Sequence, residues 1–404
     1  MSVGPDILWI ITTQWRAQAC GHAGDPNAST PNLDALAAEG TRYAQAVTPH
    51  PFGPFARAAV LTGVPCPANG VRDYFDPLPS GSRTIAHALQ ERGYDTAFFG
   101  KWHLAARDPA APLVGETHAR MMVPPDARGG FETWQGFEGG FLLNHPWLHG
   151  TGLPQPVQMR GYQPVVLAEV AERWLLARGN DPRPWFCVVS METPHPPYEA
   201  DADGLPRRDP ARLVLAPNVP RGGEVEARAR RELAGYYTHI EATDRAVGRL
   251  LSKLRHDQSP IVVLTSVHGD MHGAHGFFRK GWPHEESIRV PLLVRTPDEP
   301  GGATEQAAIS LLNLPAMTIA WAEGRRPTMR AEACSISMPS VVALPHQCDR
   351  VWHGVRTARR KLVLNDDGSP WLFFDLEEDP SETRNLVNEP GRSAEMRALR
   401  ELAG

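Results

Sequence analysis

The sequence predicts an α/β fold: a large, mostly parallel sheet sandwiched by helices, followed by a small C-terminal antiparallel sheet plus helix. Three observations carry that expectation. Short runs that are apolar throughout, such as Ile-Leu-Trp-Ile-Ile at 7–11 and Ile-Val-Val-Leu at 261–264, recur between longer stretches with apolar residues at helical spacing. Strands buried on both faces of a parallel sheet read this way. Beyond Leu344 the pattern changes to three short runs separated by turns. The 404 residues, 42% of them hydrophobic, suffice for one large core with a small appendage. The expected division is an α/β domain over 1–345 and a small α+β subdomain over 346–404.

Taken in order, residues 7–11 are a strand, and 30–46 read as a helix with Thr30 as N-cap and Pro31 in its first turn. Residues 58–61 open a second helix, and 83–91 form a third that stops at Gly93. Strands are expected at 94–99, 185–190 and 261–264, and helices at 165–177 and 233–254. Two stretches interrupt the alternation: 105–161, rich in Pro, Gly, Trp and His, and 200–223, rich in Pro and Arg. Both are expected as long surface excursions bordering a site. Residues 351–357, 361–364 and 371–375 read as an antiparallel meander with its turn at Asn365-Asp366-Asp367-Gly368, before a last helix over 393–402.

Composition narrows the functional classes. A net charge of −5 gives no reason to expect nucleic acid. The five cysteines (Cys20, Cys66, Cys187, Cys334, Cys348) are scattered, odd in number and without zinc-ligand spacing, which suggests reduced thiols. The first apolar run is too short for a signal peptide or a membrane span, so no membrane partner is expected and the expected location is cytoplasmic.

Several segments, in this order, resemble the sulfatase family of the alkaline-phosphatase superfamily. They are 30–43 (TPNLDALAAEGTRY), 57–63 (RAAVLTG), 98–104 (FFGKWHL), 194–198 (PHPPY), 280–295, and Lys361-Leu362 with 374–386 (FDLEEDPSETRNL). The resemblance implies a calcium ion at the carboxyl ends of the strands. It also implies a cysteine, within Cys-x-Pro-Ser-Arg, that is converted to formylglycine and attacks sulfur. This chain departs from both. The family's two metal-binding pairs fall on Thr13 with Gln14 and on Val267 with His268. With Arg57 as anchor, Gly53 falls at the cysteine, Phe55 at the proline and Ala56 at the serine. Calcium takes about six to eight oxygen ligands with carboxylates balancing its charge, and these residues supply no carboxylate. Cys66 lies beyond the Thr62-Gly63 end of the motif and is not expected to substitute. No metal and no cofactor are therefore expected.

What the resemblance retains is cationic. Lys101 and His103 fall on the family's anion-binding lysine and histidine, His195 on its leaving-group acid, Lys280 on its second lysine, and Arg57 on the arginine beside the nucleophile. Loss of the dication together with its acids would leave Arg57, Lys101 and Lys280 as a cationic cluster fit for sulfate, phosphate or carboxylate, with His195. His103, His195 and His268, with Lys101 and Lys280, are the candidate acid–base groups. Asp34 and Asp244 read as structural, and Asp270 as a surface residue. Two functions stay open: a metal-independent enzyme acting on an anionic small molecule by hydrolysis, transfer or elimination, and a non-catalytic relative that binds an anionic ligand or a protein partner. An ordinary sulfatase is the less favoured third. Neither the substrate nor the oligomeric state is legible.

Overall fold

The computed structural model describes residues 4–254, 260–328 and 332–402. In chain order the strands are β1 Ile7–Thr12, β2 Thr41–Val47, β3 Asp95–Lys101, β4 Thr133–Phe137, β5 Trp147–Gly150, β6 Leu153–Gln158, β7 Trp185–Ser190, β8 Ile261–Ser266, β9 Leu292–Arg295, β10 Ala303–Ser310, β11 Ala333–Met338, β12 Trp352–Thr357, β13 Arg360–Asn365 and β14 Pro370–Asp375. The helices are α1 Pro31–Glu39, α2 Gly53–Thr62, α3 Ile85–Gln90, α4 Glu116–Ala119, α5 Gln163–Arg178, α6 Glu224–Leu251, α7 Glu285–Ile288, α8 Leu314–Ala322 and α9 Ser393–Leu402.

One ten-stranded mixed sheet runs β10-β2-β9-β8-β1-β7-β3-β4-β5-β6, and a four-stranded antiparallel sheet runs β11-β12-β13-β14. The centre of the large sheet is parallel: β8, β1, β7, β3 and β4 all point one way. Its middle strands are apolar throughout because both faces are covered. Ile7, Trp9 and Ile11 pack into the core on one face, and Leu8 and Ile10 into the core on the other. Parallel strands bring their carboxyl ends to one edge, and four of the candidate segments leave the sheet there: 13–14 after β1, 101–103 at the end of β3, 190–195 after β7 and 267–270 after β8.

Three expectations need correction. The helix expected over 30–46 stops at Glu39, and 41–47 is strand β2, paired with β10 and β9. The excursion over 105–161 contains β4, β5 and β6, which extend the large sheet. The small sheet begins with β11, upstream of residue 346. Its Ile336, Trp352, Val363 and Phe374 share a core with the large sheet, whereas Val355, Leu362 and Phe373 face Leu399 of α9. No described helix is long and apolar enough to cross a membrane.

Candidate functional site

Helix α2 and the strand ends converge on one closed cluster. Lys101, His103, Arg57, His195 and Lys280 are each no more than 7% exposed, and Gln14 and His268 are fully buried. Helix α2 enters with Gly53 at its first position and Arg57 one turn later. The Arg57 guanidinium donates to Lys101 O at 3.0 Å and Ser190 Oγ at 2.6 Å from Nη1, and to Thr13 Oγ1 at 2.9 Å from Nη2. It thereby ties β1, β3 and β7 together at their ends. All of its acceptors are neutral, and burial lowers its pKa to about 10.

Both lysines point to the same aromatic wall. Lys101 Nζ lies 4.7 Å from the centroid of Phe141, whose ring stacks on His195 at 4.5 Å, and Lys280 Nζ donates to His195 Nε2 at 3.1 Å. The expected bare cationic cluster is corrected here, because acids missing from the sequence reading stand beside it. Lys101 Nζ is 2.5 Å from Glu192 Oε1, with both side chains buried, and Gln163 Nε2 supports the other carboxylate oxygen at 3.3 Å. Arg107 pairs with buried Glu138 at 3.4 Å and donates to His103 Nε2 at 2.9 Å. Asp270, expected at the surface, is fully buried. It accepts from Tyr198 Oη at 2.7 Å, from the Gln14 amide, and from the backbone N–H groups of His272 and Arg279. Lys280 Nζ completes the chain by donating to Gln14 Oε1 at 2.7 Å. Burial lowers the pKa of Lys101 despite Glu192, and that of Lys280 to about 7 despite Asp270.

Hydrogen bonding fixes the histidine tautomers. A guanidinium only donates, so His103 Nε2 accepts from Arg107 and the proton lies on Nδ1. Carbonyl oxygens only accept, so His195 Nδ1–H donates to Pro196 O at 2.7 Å and His268 Nδ1–H to Gly269 O at 2.9 Å. Burial and the surrounding cations push all three imidazoles well below their ordinary pKa and keep them neutral. Among the site residues expected from sequence, three polar atoms are buried without a partner: Arg57 Nε, His103 Nδ1 and His268 Nε2; Arg107 Nε beside them makes only its 3.4 Å ion pair with Glu138. Two of the three are donors and one is a lone pair.

The donor set does not fit calcium. Thr13 Oγ1 is spent on Met191 O at 3.1 Å and on Arg57. Gln14 Oε1 already holds an ammonium, Val267 offers only hydrocarbon, and every hydrogen-bond direction of Asp270 is taken. Among the described residues, three His, Cys, Asp or Glu ligand atoms come within 4.8 Å of one another only at His275, Glu286 and Glu382, outside this cluster. A side chain at residue 53 would also require the His103 ring to shift, since a β-carbon on Gly53 would lie 2.9 Å from His103 Nδ1. Cys66 is buried, with its thiol pushed up to about 12 by burial. Asp244 is structural: its carboxylate accepts from the Asn32 and Leu33 amides at the start of α1.

A large, mostly parallel sheet under helices on both faces, with its polar cluster at the strand carboxyl ends, is an α/β architecture shared with sulfatase-like structures. The Sulfatase family model matches residues 5–324, and the chain belongs to that family. It is 34% identical over 412 residues to the ulvan-active sulfatase of Formosa agariphila, covering 96% of this chain and 78% of that protein. It is 26% identical over 441 residues to the choline-sulfatase of Rhizobium meliloti, covering 96% and 83% respectively. Among solved structures, a protein in complex with its substrate D-glucosamine-2-N,6-O-disulfate superposes with a TM-score of 0.82 at 20% identity, over 99% of this chain and 97% of that one. The phosphonate monoester hydrolase of Agrobacterium radiobacter superposes at 0.75 and 21%, over 98% and 94%. Those two likenesses concern the fold alone.

Proposed function

We propose that this protein is a divergent sulfatase-family enzyme that binds a sulfate ester of a small molecule and cleaves it without a formylglycine and without a metal ion at the strand ends. The observation that carries the reading is the set of three unpartnered atoms. Arg57 Nε–H and His103 Nδ1–H are obligate donors with nothing to donate to, and His268 Nε2 is a lone pair with nothing to accept. Leaving such groups buried and unsatisfied costs roughly 1–3 kcal/mol each, and an oxyanion with an attacking water satisfies all three.

The chemistry follows from the same atoms. Arg57 and Lys101 hold the non-bridging oxygens through charge-assisted hydrogen bonds, neutral His103 donates to them from Nδ1, and Lys280 keeps its one free N–H for the ester oxygen. Water attacks sulfur, His268 Nε2 takes the water proton, the ester S–O bond breaks, and Lys280 protonates the departing oxygen. Lys280 is suited to that step because its pKa of about 7 makes it a usable acid near neutrality. His195 Nε2, bonded to the Lys280 ammonium, orients it. Sulfated saccharides and choline sulfate, named for the relatives, are the first substrates to screen.

A second reading, an oxyanion-binding protein without turnover, draws on the Lys101–Glu192 pair, which already satisfies one lysine, and on the closure of the cluster. Turnover of sulfate and phosphate esters, assayed in excess chelator, separates the two. Activity that survives chelation and is lost in both His268→Ala and Lys280→Met supports the enzyme. Sulfate binding with no turnover of any ester supports the second reading. A formylglycine in the purified protein, or activity abolished by chelation, overturns the first.

A further inference from the structure

At the junction with the small sheet, and outside the cluster at the strand ends, lies a cage of acceptors that is short of hydrogens. The side-chain nitrogen of Asn218 sits 3.1 Å from His275 Nε2, 2.7 Å from Glu286 Oε1 and 2.9 Å from Ser381 O. An amide nitrogen has two hydrogens for these three acceptors. The carboxyl group of Glu382, next in sequence to Ser381, joins the group: ligand atoms of His275, Glu286 and Glu382 lie within 4.8 Å of one another. Meanwhile Asn218 Oδ1 and Glu286 Oε2 are buried without any partner, on side chains that are at least nine-tenths enclosed.

Nearby cations do not resolve the shortage. Arg356, Arg289 and Lys361 all converge on Glu285, at 2.9, 3.2 and 3.2 Å, and Lys361 also holds Glu382 Oε1 at 2.5 Å. Glu286 takes part in no ion pair among the described residues. Which end of an amide is oxygen is an assignment made from its hydrogen bonds. Turning the Asn218 amide over would bring Oδ1 in among the acceptors, beside a Glu286 carboxylate that no cation pairs, while Glu382 already accepts from Lys361 and from the Glu285 N–H at 2.8 Å. His275 adopts a left-handed backbone conformation (φ 54°), with its ring against His284 at 4.4 Å.

We propose that His275 Nε2, Glu286, Glu382 and the oxygens of Asn218 and Ser381 form a site for a divalent cation of the Zn2+ or Mn2+ class. One imidazole among oxygen ligands favours those ions over calcium. The ion joins three stretches that are distant in sequence: the loop before α6 with Asn218, the turn after β8 together with α7, which carry His275 and Glu286, and the segment after β14 with Ser381 and Glu382. Its role is to fasten the small sheet to the large one. It stands apart from the strand-end cluster and does not depend on the function proposed for that cluster.

Elemental analysis of the purified protein, after stripping with chelator and reloading with Zn2+ or Mn2+, tests the proposal. One equivalent bound by the wild type, with a melting temperature raised by several degrees, is expected. Both effects should vanish in Glu286→Gln and His275→Gln and persist in Gln14→Ala. Anomalous density at the zinc edge in wild-type crystals locates the ion should either variant fail to fold. No ion bound at millimolar metal overturns the proposal and leaves the reading of the strand-end cluster untouched. An ion lost only in Gln14→Ala overturns the proposal and the metal-free cluster together.

Discussion

The ammonium of Lys280 is enclosed between an amide oxygen and an imidazole lone pair, with Asp270 one residue further along the chain of hydrogen bonds. Burial wins over Asp270, and the pKa falls from 10.5 to about 7. Between those values the unfolded chain holds a proton that the empty folded protein lacks, so this group makes stability rise with pH in that window. Thermal melts from pH 7 to 10 should show that rise, and Lys280→Met should flatten it. A bound oxyanion returns the proton, so sulfate affinity should fall as pH climbs through 7. Calorimetry in two buffers of different ionisation enthalpy, near pH 8, should register proton uptake on binding. The Lys101–Glu192 pair makes a second prediction. Both side chains are at most 1% exposed, and Glu192→Gln would leave an uncompensated ammonium, a loss of about 3–5 kcal/mol readable in urea unfolding. That Lys101, His103, His195 and Lys280 share one cluster was legible from their motifs, whereas the acids beside them were not. Glu192 stands three residues before His195 at the end of an apolar run, and a carboxylate there should have been read as paired. Glu138 had no such signal: it follows β4 in an irregular loop whose packing partners lie far away in sequence.

At the scale of elements, the strand ends and the first turn of α2 set the buried cluster, and two unusual backbone conformations hold it. Gln14 and His103 adopt left-handed φ values of 65° and 62°, which side-chain-bearing residues take up at a cost of about 1–3 kcal/mol when the surroundings compel it. In each case the turn aims the side chain back across the sheet edge, Gln14 at Lys280 and His103 at Gly53. The His103 ring cannot easily retreat, because Arg107 holds its far nitrogen and Tyr74 packs edge-on at 5.7 Å. Gly53→Ala should therefore destabilise by about 1–3 kcal/mol through overpacking, despite the better helix propensity of alanine. Unchanged or increased stability in denaturant would show that the ring gives way. The central strands were legible because burial on both faces leaves no alternation to misread. Strand β2 was not, since Thr41 to Val47 follows a helix with only Gly40 between and is only half-buried along most of its length. The stop signal was Gly40. Strand β6 carries Pro154 and Pro156, which sequence rules set against a strand but which an edge position tolerates.

Across the whole molecule, the two sheets are bound by a shared core and by one buried carboxylate. Glu285, at the start of α7, is met by Arg356 of β12, Lys361 of β13 and Arg289. Burial alone would raise its pKa, and the three cations reverse this and hold it well below the usual carboxylate value of 4.5. The sign is that of a depressed acid. Its contribution is complete above 4.5, where the unfolded chain is also ionised, and is lost progressively as pH falls below that value toward the folded pKa. Glu285→Gln should remove about 3–5 kcal/mol at neutral pH by stranding buried cations. It should also remove part of the slope of stability against pH on the acid side. Urea unfolding of wild type and variant from pH 7 down to 3 measures both quantities, and parallel curves separated by a constant offset would show that Glu285 is not the group that titrates. The side of the small sheet facing the large one, with Trp352 and Phe374 in the common core, implies that acid loosens this junction and the large sheet in one transition. Tryptophan fluorescence, which reports Trp352 among others, should then follow the same curve as far-UV circular dichroism, and two separated transitions would mean that the small sheet comes away first.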